Sequence, residues 1–240
     1  MKLLAFDTST EILSIAVSAG AGAPILEHAA TGGAQASATL IPGIEALLAE
    51  AGLKLQELDA IAFGRGPGSF TGLRTATAVA QGLGFGSGVP VLAIDTLLAV
   101  AEEAHALVGA HSVLAMLDAR MGEVYYAAYE RQGSSWITRD APMLGRPEDP
   151  VVPDGWTIAG NVLELYSAQL PAAAQHVHAL PTARALLRLA PAFLADGRPH
   201  AAAAALPLYI RDKVAQTTEE RAADRARKEM LRGASAADPR

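Results

Sequence analysis

The sequence predicts an α/β protein built from two related halves, and three observations carry that reading. Short apolar, β-branched runs alternate with segments whose apolar residues recur at helical spacing. An apolar strand ending in Asp, a polar turn and an alternating strand occur twice, as "LLAFDTSTEILSIAVSAG" and as "VLAMLDARMGEVYYAAYE", which places Asp118 111 residues after Asp7. The 240 residues suffice for one large domain or two small ones, and with no cysteine the fold cannot lean on disulfides or thiolate metal sites.

The elements follow in order. "KLLAFD" and "ILSIAVS", separated by "TSTE", read as a hairpin, and "AGAGA" turns the chain into a third strand, "PILEHAA". Over residues 34–51, Leu40, Ile44, Leu47 and Leu48 recur at helical spacing and Gly52 stops the run. Pro42 lies inside that pattern, so the helix is expected to start there or to kink. "LDAIAF" is a strand, "LRTATAVAQGL" a helix, "VPVLAI" a strand, and residues 96–108 a further helix. The second half begins with the repeated hairpin. Residues 132–160, with Pro142, Pro147, Pro150 and Pro153, read as irregular, and "TARALLRLAPAFLADG" reads as a helix. The two halves are placed at 1–104 and 105–218, followed by a charged, Ala-rich tail, 219–240, expected to be disordered.

Charge narrows the function classes. The net charge is −6, yet the last 30 residues hold 8 of the 19 basic side chains and leave 11 basic against 19 acidic in residues 1–210. Such an acidic body grips phosphate backbones poorly, so any role on RNA is expected to run through a partner. An apolar start broken by Asp7 is too short for a signal peptide, and no segment approaches the roughly 20 apolar residues of a membrane helix. The expected location is the cytoplasm.

"GRGPGSFTGLRTATAVAQGL", residues 64–83, resembles a phosphate cradle and fails each such pattern. No Gly is followed five positions later by Gly-Lys-Ser/Thr, and Lys is absent between Lys54 and Lys213. The dinucleotide fingerprint would need its third small glycine at 69, which is Ser, and a nucleophile elbow would need Gly where Pro67 and Thr71 stand. A tight turn at Pro67–Gly68 with Ser69 or Thr71 capping a helix accounts for the stretch. Along that helix Gly72, Ala76, Ala80 and Gly84 recur every fourth residue, flanked by Leu73 and Leu83. Such a stripe admits close approach of another element, either a partner's helix or this protein's own sheet.

"DTST", Asp7 to Thr10, is the second candidate site: its hydroxyls and turn amides suit a phosphate, and equally suit a hydrogen-bonded hairpin turn. Among the six histidines no pair has helical ligand spacing, and His176 and His178 alternate on one strand without a nearby carboxylate. No catalytic residue and no metal ligand is assigned from the residues.

"LAFDTST", "GRGPGSFTGLR", "LDARMGEVYYA" and "PLYIRDKVA", in that order, resemble the TsaB family, glycoprotease-related dimerisation subunits of the bacterial tRNA threonylcarbamoyladenosine apparatus. The match runs from residue 1 to about 221. The resemblance implies an actin-like (ASKHA) fold of two ribonuclease-H-like halves, each a mixed five-stranded sheet with flanking helices. It implies a pseudo-enzyme that activates the catalytic subunit TsaD, with TsaE as a further partner, tRNA met only through the complex, and ATP and metal held by the partners. It places Thr96 and Val100 where TsaD carries its two metal-binding histidines. Asp7, Thr8, Ser9 and Thr10 become a vestigial phosphate loop, with Ser9 in place of its glycine, and no histidine stands near Ala36–Ser37. Leu40, Ile44, Leu47, Gly72, Leu73, Ala76, Ala80 and Leu83 become the partner interface, free to pair with a second copy when TsaD is absent. The rival readings are a metallopeptidase and a standalone actin-like ATPase.

Overall fold

The computed structural model of the chain describes residues 1–198 and 201–211, so the expected tail at 219–240 lies outside the described residues. The first half runs β1 (Lys2–Asp7), β2 (Ile12–Ala19), β3 (Ile25–Thr31), α1 (Ala36–Glu50), β4 (Ala60–Gly66), α2 (Phe70–Ser87), β5 (Val91–Asp95) and α3 (Thr96–Val108). The second runs β6 (Ser112–Arg120), β7 (Glu123–Gln132), β8 (Ser135–Gly145), β9 (Thr157–Gly160), α4 (Leu163–Tyr166), β10 (Gln175–His178) and α5 (Ala183–Ala195). The sheets are ordered β3-β2-β1-β4-β5 and β8-β7-β6-β9-β10, the same topology twice. In each, the first three strands are antiparallel and the last two run parallel to the first. Each half is thus a mixed five-stranded sheet with flanking helices, the arrangement of an actin-like fold.

Alternation along the strands sorts side chains to two faces of each sheet. Leu4, Phe6, Ile61 and Phe63 point outward from the first sheet and pack under α1 and α2. Leu3, Ala5, Ala62 and Ile94 point inward and share one core with α3, α5 and the inner face of the second sheet, from Val113 to Tyr129. The boundary placed at 104/105 therefore falls inside α3, and residues 1–210 form one compact unit. A smaller core under Val162 and α4 covers the outer face of the second sheet.

Two elements differ from expectation. α1 starts at Ala36, ahead of Pro42, and continues through it, because Leu40, Ile44, Leu47 and Leu48 anchor the helix to the sheet on both sides of it. One lost backbone bond is outweighed by that packing. Gly43 adds to it: a Cβ there would lie 2.6 Å from Ile15 Cδ1, so glycine lets α1 settle onto β2. The stretch 132–160, read as irregular, contains the eleven-residue strand β8 and the short β9. β8 is an edge strand with mostly exposed side chains, so it lacks the apolar alternation that marks a buried strand, and an edge tolerates Pro142.

Candidate functional site

The "DTST" turn sits at the end of β1, and its four side chains are buried: Asp7 and Thr8 are 0% exposed. Asp7 Oδ1 accepts the Ser9 backbone N–H at 2.8 Å and the Ser9 hydroxyl at 2.6 Å. Thr10 Oγ1 accepts the Ile12 N–H at 3.2 Å, tightening the turn into β2. The glycine-rich stretch closes over this turn. Thr8 donates its hydroxyl to the Gly72 carbonyl at 2.7 Å, and the Ser69 N–H donates to the Ser9 carbonyl at 2.7 Å. A Cβ at 72 would overlap the Thr8 carbonyl oxygen, and one at 64 would overlap Asp7 Oδ2. The start of α2 packs directly on the turn: the N–H of its N-cap Ser69 is bound to the Ser9 carbonyl and the Gly72 N–H to the Ser69 hydroxyl. Ser69 is the N-cap, accepting from Gly72 N–H.

Asp7 Oδ2 is buried without a hydrogen-bond partner among the described residues, with the Thr96 hydroxyl close by and itself accepting the Gly66 N–H at 3.1 Å. Burial pushes the Asp7 carboxyl up to about 6, against the opposing pull of the Ser9 and Thr96 groups.

The second half carries the counterpart turn in a different state. Asp118 Oδ1 accepts the Arg120 N–H at 2.9 Å and the Tyr166 hydroxyl at 2.8 Å, while the Asp118 N–H donates to Asn161 Oδ1 at 2.9 Å. "GNV" at 160–162, the nearest match to an adenosine-binding pair of glycines, thus belongs to this hydrogen-bonded turn, with Val162 fully buried. Arg120 and Met121 hold left-handed backbone, φ 65 and 61, and Met121 is 59% exposed.

Most of the residues expected at a partner interface are packed within this chain. Leu40, Ile44, Leu47, Gly72, Leu73, Ala76 and Ala80 are buried within the chain, and Leu83 is half-buried. Ala76 and Ala80 of the small-residue stripe share one core with Phe6 and Phe63 of this chain's own sheet, whose stacked rings lie 6.4 Å apart. Gly84 is likewise closed, by Ala202 and Val91.

What α1 and α2 do present to solvent is a different set. On α1 it includes Ala38, Ile41, Ala46 and Ala49, and on α2 it includes Ala78, Gly82, Phe85 and Gly86. Phe85 is 69% exposed and Ile41 44%. Ala78, Gly82 and Gly86 form a second stripe at four-residue spacing, legible in the sequence but masked there by the first.

Thr96 and Val100 are both fully buried at the start of α3. Among the described residues no three His, Cys, Asp or Glu side chains gather where they could hold a metal ion, and His176 and His178 are exposed on β10. No helix among the described residues is long and apolar enough to cross a membrane.

Comparison with known proteins places this geometry. Residues 27–233 match the family model described as TsaD, tRNA N6-adenosine threonylcarbamoyltransferase. The tRNA threonylcarbamoyladenosine biosynthesis protein TsaB of Escherichia coli (strain K12) is 32% identical over 235 residues, covering 90% of this chain and 96% of that protein. The protein of the same name from Haemophilus influenzae is 46% identical over 135 residues, 55% of each chain. Among solved structures, YeaZ from Pseudomonas aeruginosa superposes with a TM-score of 0.80 at 40% identity, covering 87% of this chain and 99% of its own. A second Pseudomonas aeruginosa structure, described as similar to peptidase YEAZ, gives 0.81 at 39% identity over 88% of this chain and 99% of that one. With its doubled sheet, its closed turn and relatives that match it along nearly its whole length, the chain belongs to the TsaB family.

Proposed function

We propose that this chain serves tRNA threonylcarbamoyladenosine biosynthesis in the cytoplasm as a non-catalytic subunit, pairing through the outer face of α1 and α2 with a catalytic TsaD subunit and holding it in its competent state. TsaE is the further partner, tRNA is met only through the complex, and ATP and metal belong to the partner subunits.

The observation that carries this reading is Gly82. It stands in the interior of α2, where glycine costs about 1 kcal/mol relative to alanine. Nothing among the described residues requires that cost, because a Cβ at 82 would have no neighbour among them within 4 Å. Gly86 repeats the pattern one turn on, beside the exposed ring of Phe85. Small residues around one large apolar anchor suit a second helix approaching closely from outside. The closed "DTST" turn supports a non-catalytic role and counts against a standalone ATPase. Buried Thr96 and Val100, neither able to ligate as imidazole does, count against a metallopeptidase.

The test is co-purification with the TsaD of the same organism and a tRNA modification assay with and without this chain. Phe85→Asp and Gly82→Leu should each leave the isolated chain folded, weaken TsaD binding at least tenfold and abolish the dependent modification. Normal TsaD binding by both variants would sink the proposed interface; hydrolysis of ATP or peptide by the purified chain alone would sink the non-catalytic role.

A further inference from the structure

A cleft of about 750 Å³ opens between α3, α5 and the β7–β8 hairpin, and neither strand–Asp turn nor α1 or α2 contributes to its lining. Its size falls in the range of small-molecule sites. Four arginines from separate parts of the chain reach its wall: Arg65 from the end of β4, Arg131 from β7, Arg188 from α5, and Arg198 just beyond it. Asp95, Glu102 and Asp196 are the wall's carboxylates, and Trp136, Leu98 and Phe193 supply apolar surface.

The arginines are held in place. Glu102, only 4% exposed, accepts from Arg131 Nη1 at 2.8 Å and Trp136 Nε1 at 2.8 Å with one oxygen, and from Arg188 Nε at 2.9 Å with the other. Arg188 is held a second time, by Glu103 at 2.5 Å. Arg65 spends its Nε on Asp95 at 2.5 Å. A guanidinium has five N–H groups. Both terminal nitrogens of Arg65 and one of Arg131 therefore have no partner among the described residues, although these side chains are only 39% and 16% exposed. Carboxylates on one side orient them, and their free edges remain for a ligand.

A second observation lies beneath. Tyr129, fully buried on β7, has a hydroxyl without a hydrogen-bond partner among the described residues. Burial, aided by the charge of Asp95 and opposed by Arg65, keeps its proton on, so it stays a neutral donor in the field of the pair that lines the cleft.

We propose that this cleft binds a phosphorylated small molecule of nucleotide size, its phosphates bridging the free edges of Arg65 and Arg131 and its ring lying along Trp136 and Leu98. Planar guanidinium forks match phosphate oxygens two at a time, which favours phosphate over a lone halide or a neutral sugar. The volume exceeds what inorganic phosphate alone would fill, and the apolar wall accounts for the remainder.

The test is calorimetric titration of the full chain with ADP, AMP, adenosine and inorganic phosphate. ADP should bind more tightly than AMP, adenosine should bind at least tenfold more weakly than ADP, and affinity should fall as salt rises. Arg65→Gln and Arg131→Gln should each weaken ADP roughly tenfold. Ser134→Glu, at the exposed hairpin tip, adds a repelling charge without touching the buried network and should weaken it several-fold. Asp7→Asn should change nothing, since the first turn is closed. No ADP binding at about 1 mM by the folded chain would overturn the proposal. So would an affinity unmoved by Arg65→Gln and Ser134→Glu, or one lost in Asp7→Asn instead.

Discussion

Thr8 and Gly72 lock two distant segments together: the Thr8 hydroxyl donates to the Gly72 carbonyl at 2.7 Å, while the Gly72 Cα faces the Thr8 carbonyl with no room for a side chain. This contact joins the first strand–Asp turn to the start of α2, and it converts a phosphate-loop-like turn into part of the core.

Gly72→Ala should therefore destabilise the chain. The atom that a new Cβ would meet is backbone and cannot swing aside, so overpacking at the upper end of its usual range applies, about 3 kcal/mol. For a chain of this size the melting temperature should fall by roughly 6–12 °C. A variant that melts with wild type would show that the turn and the helix are not in contact.

Ala76→Leu tests which face of α2 is internal. Ala76 is fully buried against the outer face of the first sheet, so three added heavy atoms should cost about 1–3 kcal/mol in thermal or urea unfolding of the isolated chain. Gly82→Ala, on the opposite face, should instead raise stability by about 1 kcal/mol. Opposite signs in the same helix are the expected result; equal signs would contradict the observed orientation.

Asp7 makes stability pH-dependent. The carboxyl sits at about 6 in the folded chain against an ordinary 3.8, so the folded state binds the proton more tightly. Its contribution is full below about pH 4 and is lost as pH rises through about 6, a change on the order of 3 kcal/mol. Asp7→Asn keeps an oxygen to accept from Ser9 and cannot ionise. The melting temperature of wild type relative to Asp7→Asn should therefore fall between about pH 4.5 and 7.5. A constant difference would show that Asp7 is not buried as a lone carboxyl.

Glu102 should be costly to remove. Glu102→Ala leaves Arg131 and Arg188 partly desolvated without their shared carboxylate, and breaking such a pair costs about 3–5 kcal/mol. Glu103→Ala removes one bond from Arg188 and one from the Thr182 hydroxyl, leaves Arg188 paired with Glu102, and should cost less than Glu102→Ala in the same denaturant titration. Equal losses would mean that Glu102 is not the hub.

The sequence by itself determined the doubled plan. Asp7 ends β1 and Asp118 lies two residues before the end of β6, and each accepts the N–H two residues on, at 2.8 and 2.9 Å, because a strand–Asp–turn is a local structure written in local residues. A cap at Ser69 or Thr71 and the extent of α3 were legible for the same reason, and the structure selects Ser69. The edge strand β8 was not, since exposure removes the apolar alternation by which strands are recognised. The orientation of α2 was decided only by tertiary structure. Its two stripes, Gly72–Ala76–Ala80–Gly84 and Ala78–Gly82–Gly86, carry the same four-residue spacing, and periodicity states that a face is small without stating what lies against it. The rings of Phe6 and Phe63 settle that, arriving from strands β1 and β4. The arginine-lined cleft was equally hidden, because Arg65, Glu102, Arg131 and Arg188 are dispersed along the chain and meet only when α3 packs against the second sheet and α5 against the first.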